Sequence, residues 1–287
     1  MSISKKICVI FRGKLSEWNN AKTSIFESCK RFEAIHDVYY LMVVWDDEGV
    51  NRQDLIHDFA NRNLIDVRIL NRRAIRQHQI GNFALNQSYE EMSYVRHFAC
   101  MQKRLFERIN GFIFDEVIET RPDVFLVPAK EENLGIGLSH IIPDNTLYIP
   151  GGISLRTNFG KPIQKISDLK NNVRPFTDDN LIISNSRSHD MLNSQFNYFK
   201  ETASQFPDRL FIDPHNLMAE HCVRCGLKVE NKSQYYFDHY VLARNDKLFS
   251  NSIDFKNVSL STARMLEAEN RRIQEETKRA RGALLNR

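Results

Sequence analysis

Apolar residues run unbroken from Ile7 to Phe11 and stop at Arg12-Gly13. Such a run predicts a strand buried on both faces that ends in a turn. Behind it Ala21, Ile25, Cys29 and Phe32 recur at helical spacing, and a second apolar run, Val38 to Trp45, breaks off at Asp46-Asp47-Glu48-Gly49. The unit then repeats as a helix over 54–61 and a short strand over 66–70. Strands alternating with helices predict βαβ units and a mainly parallel sheet flanked by helices. Ligands of such sheets gather beyond the carboxyl ends of the strands, where Arg12, Gly13, Trp45 and Asp46 stand.

The stretch 71–87 is polar, without a period, and reads as a long loop. A helix follows in which Tyr94, Phe98, Met101, Leu105 and Ile109 form one stripe, expected to face the core, while Arg96, Lys103 and Glu107 face elsewhere. Asn110-Gly111 stops it. The next strand, 116–120, runs into Arg121-Pro122-Asp123. Patterning weakens over 127–177, with a short strand at 147–149, and returns as a strand at 181–183, helices at 188–203 and 216–225, and a strand at 235–243. The chain closes with 261–285, a helix whose apolar stripe is narrow: Leu266, Ile273, Ala280 and Leu284.

Composition narrows the class. The 287 residues are 42% hydrophobic and 26% charged, with 11 Gly and 8 Pro, which excludes disordered, collagen-like and disulfide-scaffold chains. The net charge is only +4. Residues 264–287 hold seven basic and four acidic side chains, so +3 of it lies there and +1 in everything before. No stretch approaches the ~20 apolar residues that span a bilayer, and with five unpaired-looking cysteines the chain is expected in the cytoplasm. A domain over 1–250 and a helical extension over 251–287 are expected.

Period-two geometry places Glu119, Arg121 and Asp123 toward one side at the end of their strand, a charged cluster beside a ligand crevice. Taken with Arg12-Gly13, Trp45-Asp46-Asp47, Arg96 and Gln102 on the preceding helix, and Asp178-Asp179-Asn180, this order resembles the GT-A glycosyltransferases over about Lys6 to Arg244. It is most similar to the bacterial surface-polysaccharide and viral or phage branch that carries R-P-D where D-x-D is usual. The resemblance implies a GT-A-like fold, a nucleotide-sugar donor such as a uridine diphosphate sugar, and a Mn2+ or Mg2+ ion. Arg12, Gly13, Trp45, Asp46 and Arg121 would then bind the donor and Asp123 the metal. Asp179 would serve as catalytic base in an inverting transfer, accepting the proton of the acceptor hydroxyl.

The bland readings are a turn-flanking ion pair for Arg121 and Asp123, local capping for Asp178 and Asp179, and a packed core histidine for His239. Cys222-Val223-Arg224-Cys225, near His215 and His221, lacks the second pair that a structural zinc site wants. Three functions follow. The first is transfer of a sugar to a hydroxyl of a surface glycan, free or lipid-linked. The second is glycosylation of a hydroxymethylated DNA base by a phage enzyme. The third is nucleotide or glycan binding without turnover. The basic terminal helix would add a peripheral contact with anionic membrane or nucleic acid.

Overall fold

The computed structural model describes residues 4–15, 17–46, 49–72, 87–156, 174–197, 214–244 and 247–250. Strand β1 (Lys6–Gly13), helix α1 (Trp18–Glu33), β2 (Asp37–Trp45), α2 (Arg52–Asp58) and β3 (Asn63–Leu70) form two successive βαβ units. Helix α3 (Gln87–Asn110) then leads into β4 (Glu116–Thr120). β5 (Val124–Pro128), α4 (Glu131–Ser139), β6 (Thr146–Tyr148) and the hairpin β7 (Ile153–Arg156) and β8 (Arg174–Thr177) follow. β9 (Leu181–Ser184), α5 (Ser186–Asn193), α6 (Pro214–Arg224), β10 (Lys228–Glu230), β11 (Phe237–Arg244) and β12 (Lys247–Ser250) complete the described chain.

The central sheet has seven strands in the order β10-β6-β9-β4-β1-β2-β3. All its pairings are parallel except those of β9, which runs against both β4 and β6. The fold is therefore mixed α/β with a mostly parallel sheet, as the alternating pattern predicts. A smaller antiparallel sheet, β12-β11-β5, packs beside it. Ser24 and Ser28 of α1 donate hydrogen bonds to the Leu126 carbonyl of β5, at 2.6 and 2.9 Å. The last strand expected from the sequence thus belongs to this second sheet.

Strand alternation builds the core on two faces. Ile7, Val9 and Phe11 of β1 face α1 with Ile25, Phe32 and Tyr40, while Cys8 and Ile10 face α3 with Val95 and Ala99. A third cluster, Leu147, Ile182, Leu192 and Met218 among them, lies at the β6 and β9 end.

Helix α3 corrects the expected stripe. Met101, Leu105 and Ile109 are 49, 51 and 73% exposed, whereas Arg96, Lys103 and Glu107 are buried. The helix turns inward on the face where its charges find partners: Lys103 Nζ lies 3.0 Å from Glu107 Oε2 and 3.0 Å from Asp190 Oδ1. Burial alone would lower the Lys103 pKa, but Asp190 and Glu107 outweigh it and raise it.

Helix α4 and strands β5, β7 and β8 stand where patterning was weak, and α5 begins two residues earlier than expected. Among the described residues no helix is long and apolar enough to cross a membrane. Most of the loop expected over 71–87, the terminal helix and Asp47 lie outside the described residues.

Candidate active site

On one side β1 neighbours β2 and on the other β4, so the sheet order reverses between β1 and β4. A crevice beyond the carboxyl ends of such a strand pair is where α/β sheets take ligands. Arg12 and Gly13 end β1 there. Gly13 has φ of +114°, a conformation that an L side chain adopts only under strain.

Arg12 shares the α3 face of the sheet with Ile10, and Glu119 of β4 shares it with Val117. Their side chains therefore meet: Arg12 Nε donates to Glu119 Oε1 at 2.7 Å. The same oxygen accepts Arg96 Nε from α3 at 2.6 Å, and Glu119 Oε2 lies 3.0 Å from His189 Nε2 of α5. The far end of Arg12 reaches Asp179, with Nη1 and Nη2 each 3.3 Å from Oδ2 and a further bond from Nη2 to the Asp179 carbonyl. Three elements and the loop before β9 are thus tied to one carboxylate hub.

A second group borders the first. The Val124 amide bonds the Arg121 carbonyl at 3.2 Å, closing a four-residue turn in which Pro122 takes the second position, where its fixed φ suits. Across this turn Arg121 grips Asp123 in a bidentate pair, Nε to Oδ1 at 2.8 Å and Nη2 to Oδ2 at 2.5 Å. Asp178 Oδ1 accepts the Asp179 and Asn180 amides at 2.6 and 3.1 Å, and its Oδ2 accepts the Tyr240 hydroxyl from β11. His215 of α6 holds its Nδ1 3.1 Å from the Thr177 carbonyl and 3.7 Å from Asp179 Oδ1.

The electrostatics follow from this crowding. Burial alone would raise the Glu119 pKa, but Arg96 and then Arg12 outweigh it and hold it well below the usual carboxylate range. Asp179 behaves alike: burial raises it, while Arg12, His215, Arg96 and Arg121 together bring it down. Burial would discharge Arg12, yet Glu119 and Asp179 raise its pKa instead. Both carboxylates are therefore held in the ionised form by the cations around them.

Of the residues expected at the site, Arg12, Gly13, Arg121, Asp123 and Asp179 gather at this edge. Asp123 is 2% exposed and both its oxygens are bound by Arg121. Trp45 packs into the α3 side of the core, with the Arg72 guanidinium 5.3 Å above its ring, so its face is covered. Asp46 is exposed, its amide bonded to the Leu70 carbonyl at 2.9 Å. His239 pairs through its backbone with Val127, on β11 rather than in the main sheet.

Sequence reading missed His189 and Tyr240, and met His215 only as a neighbour of the cysteine pair. Nothing local marks them, because their partners lie 70, 62 and 36 residues away at Glu119, Asp178 and Asp179. Arg96 carried a signal: a charge among Val95, Ala99 and Cys100 on a helix facing a strand end.

For a divalent ion, Asp178, Asp179 and His215 each offer a ligand atom, all within 4.8 Å of one another. Carboxylate oxygens plus imidazole suit Mn2+, and the acids alone suit Mg2+. A second trio, Cys100, His189 and Asp190, is unsuited because Lys103 occupies Asp190 and Glu119 occupies His189.

A cavity of about 830 Å³ lies at the opposite, amino edge of the sheet, lined by Lys5, Ile113, Glu116, Leu138, Ile141 and Ser186 among others.

No protein-family model matches the chain, and no curated protein does. Solved structures of similar shape include the apo-form glycosyltransferase GlyE of Streptococcus pneumoniae TIGR4, 11% identical, covering 81% of this chain and 46% of GlyE with a TM-score of 0.42. The galactosyltransferase LgtC, in complex with donor and acceptor sugar analogs, is 12% identical over 78% of this chain and 72% of LgtC, with a TM-score of 0.42. The bifunctional glycosyltransferase WbbM in its apo form is 12% identical over 93% of this chain and 44% of WbbM, with a TM-score of 0.41. The chain spans less than half the length of GlyE and of WbbM.

Proposed function

We propose that this chain is a glycosyltransferase that moves a sugar from a nucleotide-sugar donor, in the first instance a uridine diphosphate sugar, to a hydroxyl of a glycan. The observation that carries the reading is the convergence of Arg12, Arg121, Asp123, Asp178, Asp179 and His215 at the β1 and β4 carboxyl ends. That edge holds both basic groups for a diphosphate and oxygen and nitrogen donors for a cation.

In this reading Arg121 exchanges Asp123 for the donor diphosphate, to which a guanidinium binds in the same two-pronged way. Asp123 is thereby freed as a ligand. Mn2+ or Mg2+, when bound at Asp178, Asp179 and His215, would neutralise charge on the leaving diphosphate. Arg12 keeps Asp179 placed, and Glu119 keeps Arg12 and Arg96 placed.

A second reading has one specific support: Glu119, Asp123 and Asp179 are each already paired with arginine, as in a domain that binds a nucleotide or glycan without turning it over. Donor hydrolysis separates the two. A panel of nucleotide sugars is incubated with the protein, with Mn2+ and with chelator, and released nucleotide is measured beside thermal stabilisation by the matching diphosphates. Release dependent on Mn2+ supports the transferase. Stabilisation without release supports the binding domain, and neither result from any donor overturns both.

A further inference from the structure

The cavity at the amino edge has the size of a small-molecule site, about 830 Å³ against the ~300–1,000 Å³ usual for one. It lies across the sheet from the carboxyl-edge cluster and shares no residue with it. Ile113, Phe114, Leu138, Ile141 and Ile142 give it an apolar wall. Phe114 and Ile142 are buried, while Ile113 and Ile141 are 69 and 81% exposed on its open side.

The charged part of the lining is unequal. Glu107, Asp115, Glu116, Asp144 and Asp190 are set against Lys5 and Arg187, a balance of −3 that Lys103, shared between Glu107 and Asp190, reduces to −2. Both lining cations are already engaged. Lys5 Nζ donates to Glu116 Oε1 at 2.6 Å, to the Gly137 carbonyl at 3.5 Å and to the His140 carbonyl, which uses all three of its protons. Arg187 stands 3.9 Å from Asp144 Oδ2.

Glu116 supplies an independent sign of a guest. It lines the cavity, its side chain is 2% exposed, and its Oε2 has no hydrogen-bond partner. The Tyr236 hydroxyl approaches this carboxylate but stops short of a hydrogen bond. Leaving a buried carboxylate oxygen unpaired costs free energy that a donor on a ligand would recover. Burial accordingly lifts the Glu116 pKa in spite of Lys5, so one ammonium does not offset the desolvation of this group.

We infer that this cavity binds a small organic ammonium ion, its head at Glu116 and its apolar body along the wall of Ile113, Phe114 and Ile142. Lys5 shows the chemistry in place: an ammonium on an alkyl stem, held by a carboxylate and two carbonyls. An anion fits less well. The amino end of α5 borders the cavity, but Asn185 Oδ1 already accepts the Ser188 amide at 2.8 Å, and Ser186 Oγ is held between Glu107 and Lys103. A neutral apolar guest would leave Glu116 Oε2 unpaired. The inference is independent of the sugar-transfer reading, and its test uses no nucleotide sugar.

Three compounds with one phenylethyl body test it by calorimetric titration of the full chain: phenethylammonium, 2-phenylethanol and 3-phenylpropanoate. The ammonium should bind about tenfold or more tightly than the alcohol, because charge-assisted hydrogen bonds are roughly twice as strong as neutral ones, and the carboxylate should bind weakest. Methyl NMR locates the site: phenethylammonium should shift Ile113, Ile141 and Ile142 and leave Ile25, between α1 and the sheet, unmoved. Glu116→Gln should remove most of the ammonium's advantage. Should that variant fail to fold, Ile113→Arg with Ile141→Arg takes its place, since both positions are exposed. The added positive charge should weaken phenethylammonium about tenfold and strengthen 3-phenylpropanoate. Equal affinity for ammonium and alcohol overturns the proposal, as does no binding of phenethylammonium at millimolar concentration. Tighter binding of 3-phenylpropanoate to the wild type assigns the cavity to an anion at the amino end of α5 and overturns it as well. So does binding that moves none of the three isoleucine methyls.

Discussion

Glu119 shows how one side chain can fix a site it does not line. It is fully buried and receives two guanidiniums on one oxygen and an imidazole on the other. Replacing it with Gln takes the carboxylate partner from buried Arg96 and leaves Arg12 with Asp179 alone, and breaking a buried pair in this way costs about 3–5 kcal/mol. Urea unfolding should register that loss at neutral pH. The pH dependence has a definite sign. The Glu119 pKa is depressed by folding, so its contribution is complete above the unfolded carboxylate value of about 4.3 and is lost as pH falls toward the much lower folded value. Asp179 acts in the same window. Wild type should lose stability steeply below about pH 4, and Glu119→Gln should lose it less steeply over the same interval; parallel acid profiles would remove the carboxylate from its central role. At the proposed donor edge, Arg121→Ala and Asp123→Asn should part company. Arg121→Ala should weaken binding of a nucleoside diphosphate with or without Mn2+, whereas Asp123→Asn should weaken only the Mn2+-dependent part. Calorimetric titration distinguishes them, and equal losses in chelator would contradict separate roles.

At the scale of elements, α3 is where pattern and structure diverge, and the divergence is measurable. Lys103→Ala leaves Glu107 and Asp190 facing a hole and should cost about 3–5 kcal/mol. Leu105→Ala should stay within about 0.5 kcal/mol, as surface changes do when no contact is lost. Thermal melts of the two variants decide whether the charged or the apolar face is the inner one. The reason for the misreading is physical. Hydrophobic periodicity assumes that charges seek water, but Arg96 and Lys103 are drawn inward by Glu119 and Asp190, which lie 23 and 87 residues further along the chain. No window of sequence contains both partners. The strands are a different matter. β1 and β2 are legible because their apolar runs, Ile7 to Phe11 and Val38 to Trp45, are buried on both faces and need no distant partner to be recognised. β5, β7 and β8 are short, lie outside the main sheet and owe their form to pairing with β11 or with each other. The site divides along the same line. Arg12, Arg121 and Asp123 are visible because strands end there, while Tyr240, His189 and His215 arrive from elements with no local sign of their destination.

The whole molecule carries its own reporters in five free thiols distributed over its cores. Cys29 sits in the cluster between α1 and the sheet, Cys8 in the cluster under α3, and Cys222 in the cluster at the β6 and β9 end. Cys100 is buried as well, its thiol 3.2 Å from Asp190 Oδ1, and Cys225 is half-buried. Burial pushes the Cys29 and Cys222 thiols up to about 12 and moves Cys8 and Cys100 in the same direction. Since the thiolate is the reacting form, these four should resist alkylation in the native protein for two reasons at once, access and ionisation. Cys225 alone should react at pH 8. In rising urea the order of labelling then tells how many units the body contains. If residues 1–250 are one domain, Cys8, Cys29 and Cys222 should become reactive at a single midpoint, because the Cys29 cluster shares β1, β2 and β4 with the Cys8 cluster and β6 and β9 with the Cys222 cluster, so that none opens separately. Mass spectrometry of pulse-labelled protein gives each midpoint independently. Labelling of Cys222 well before Cys8 and Cys29 would split off the β6, β9 and β10 end as its own unit. That split would part Asp178, Asp179 and His215 from Arg12, and the proposed site would then form only when two units meet.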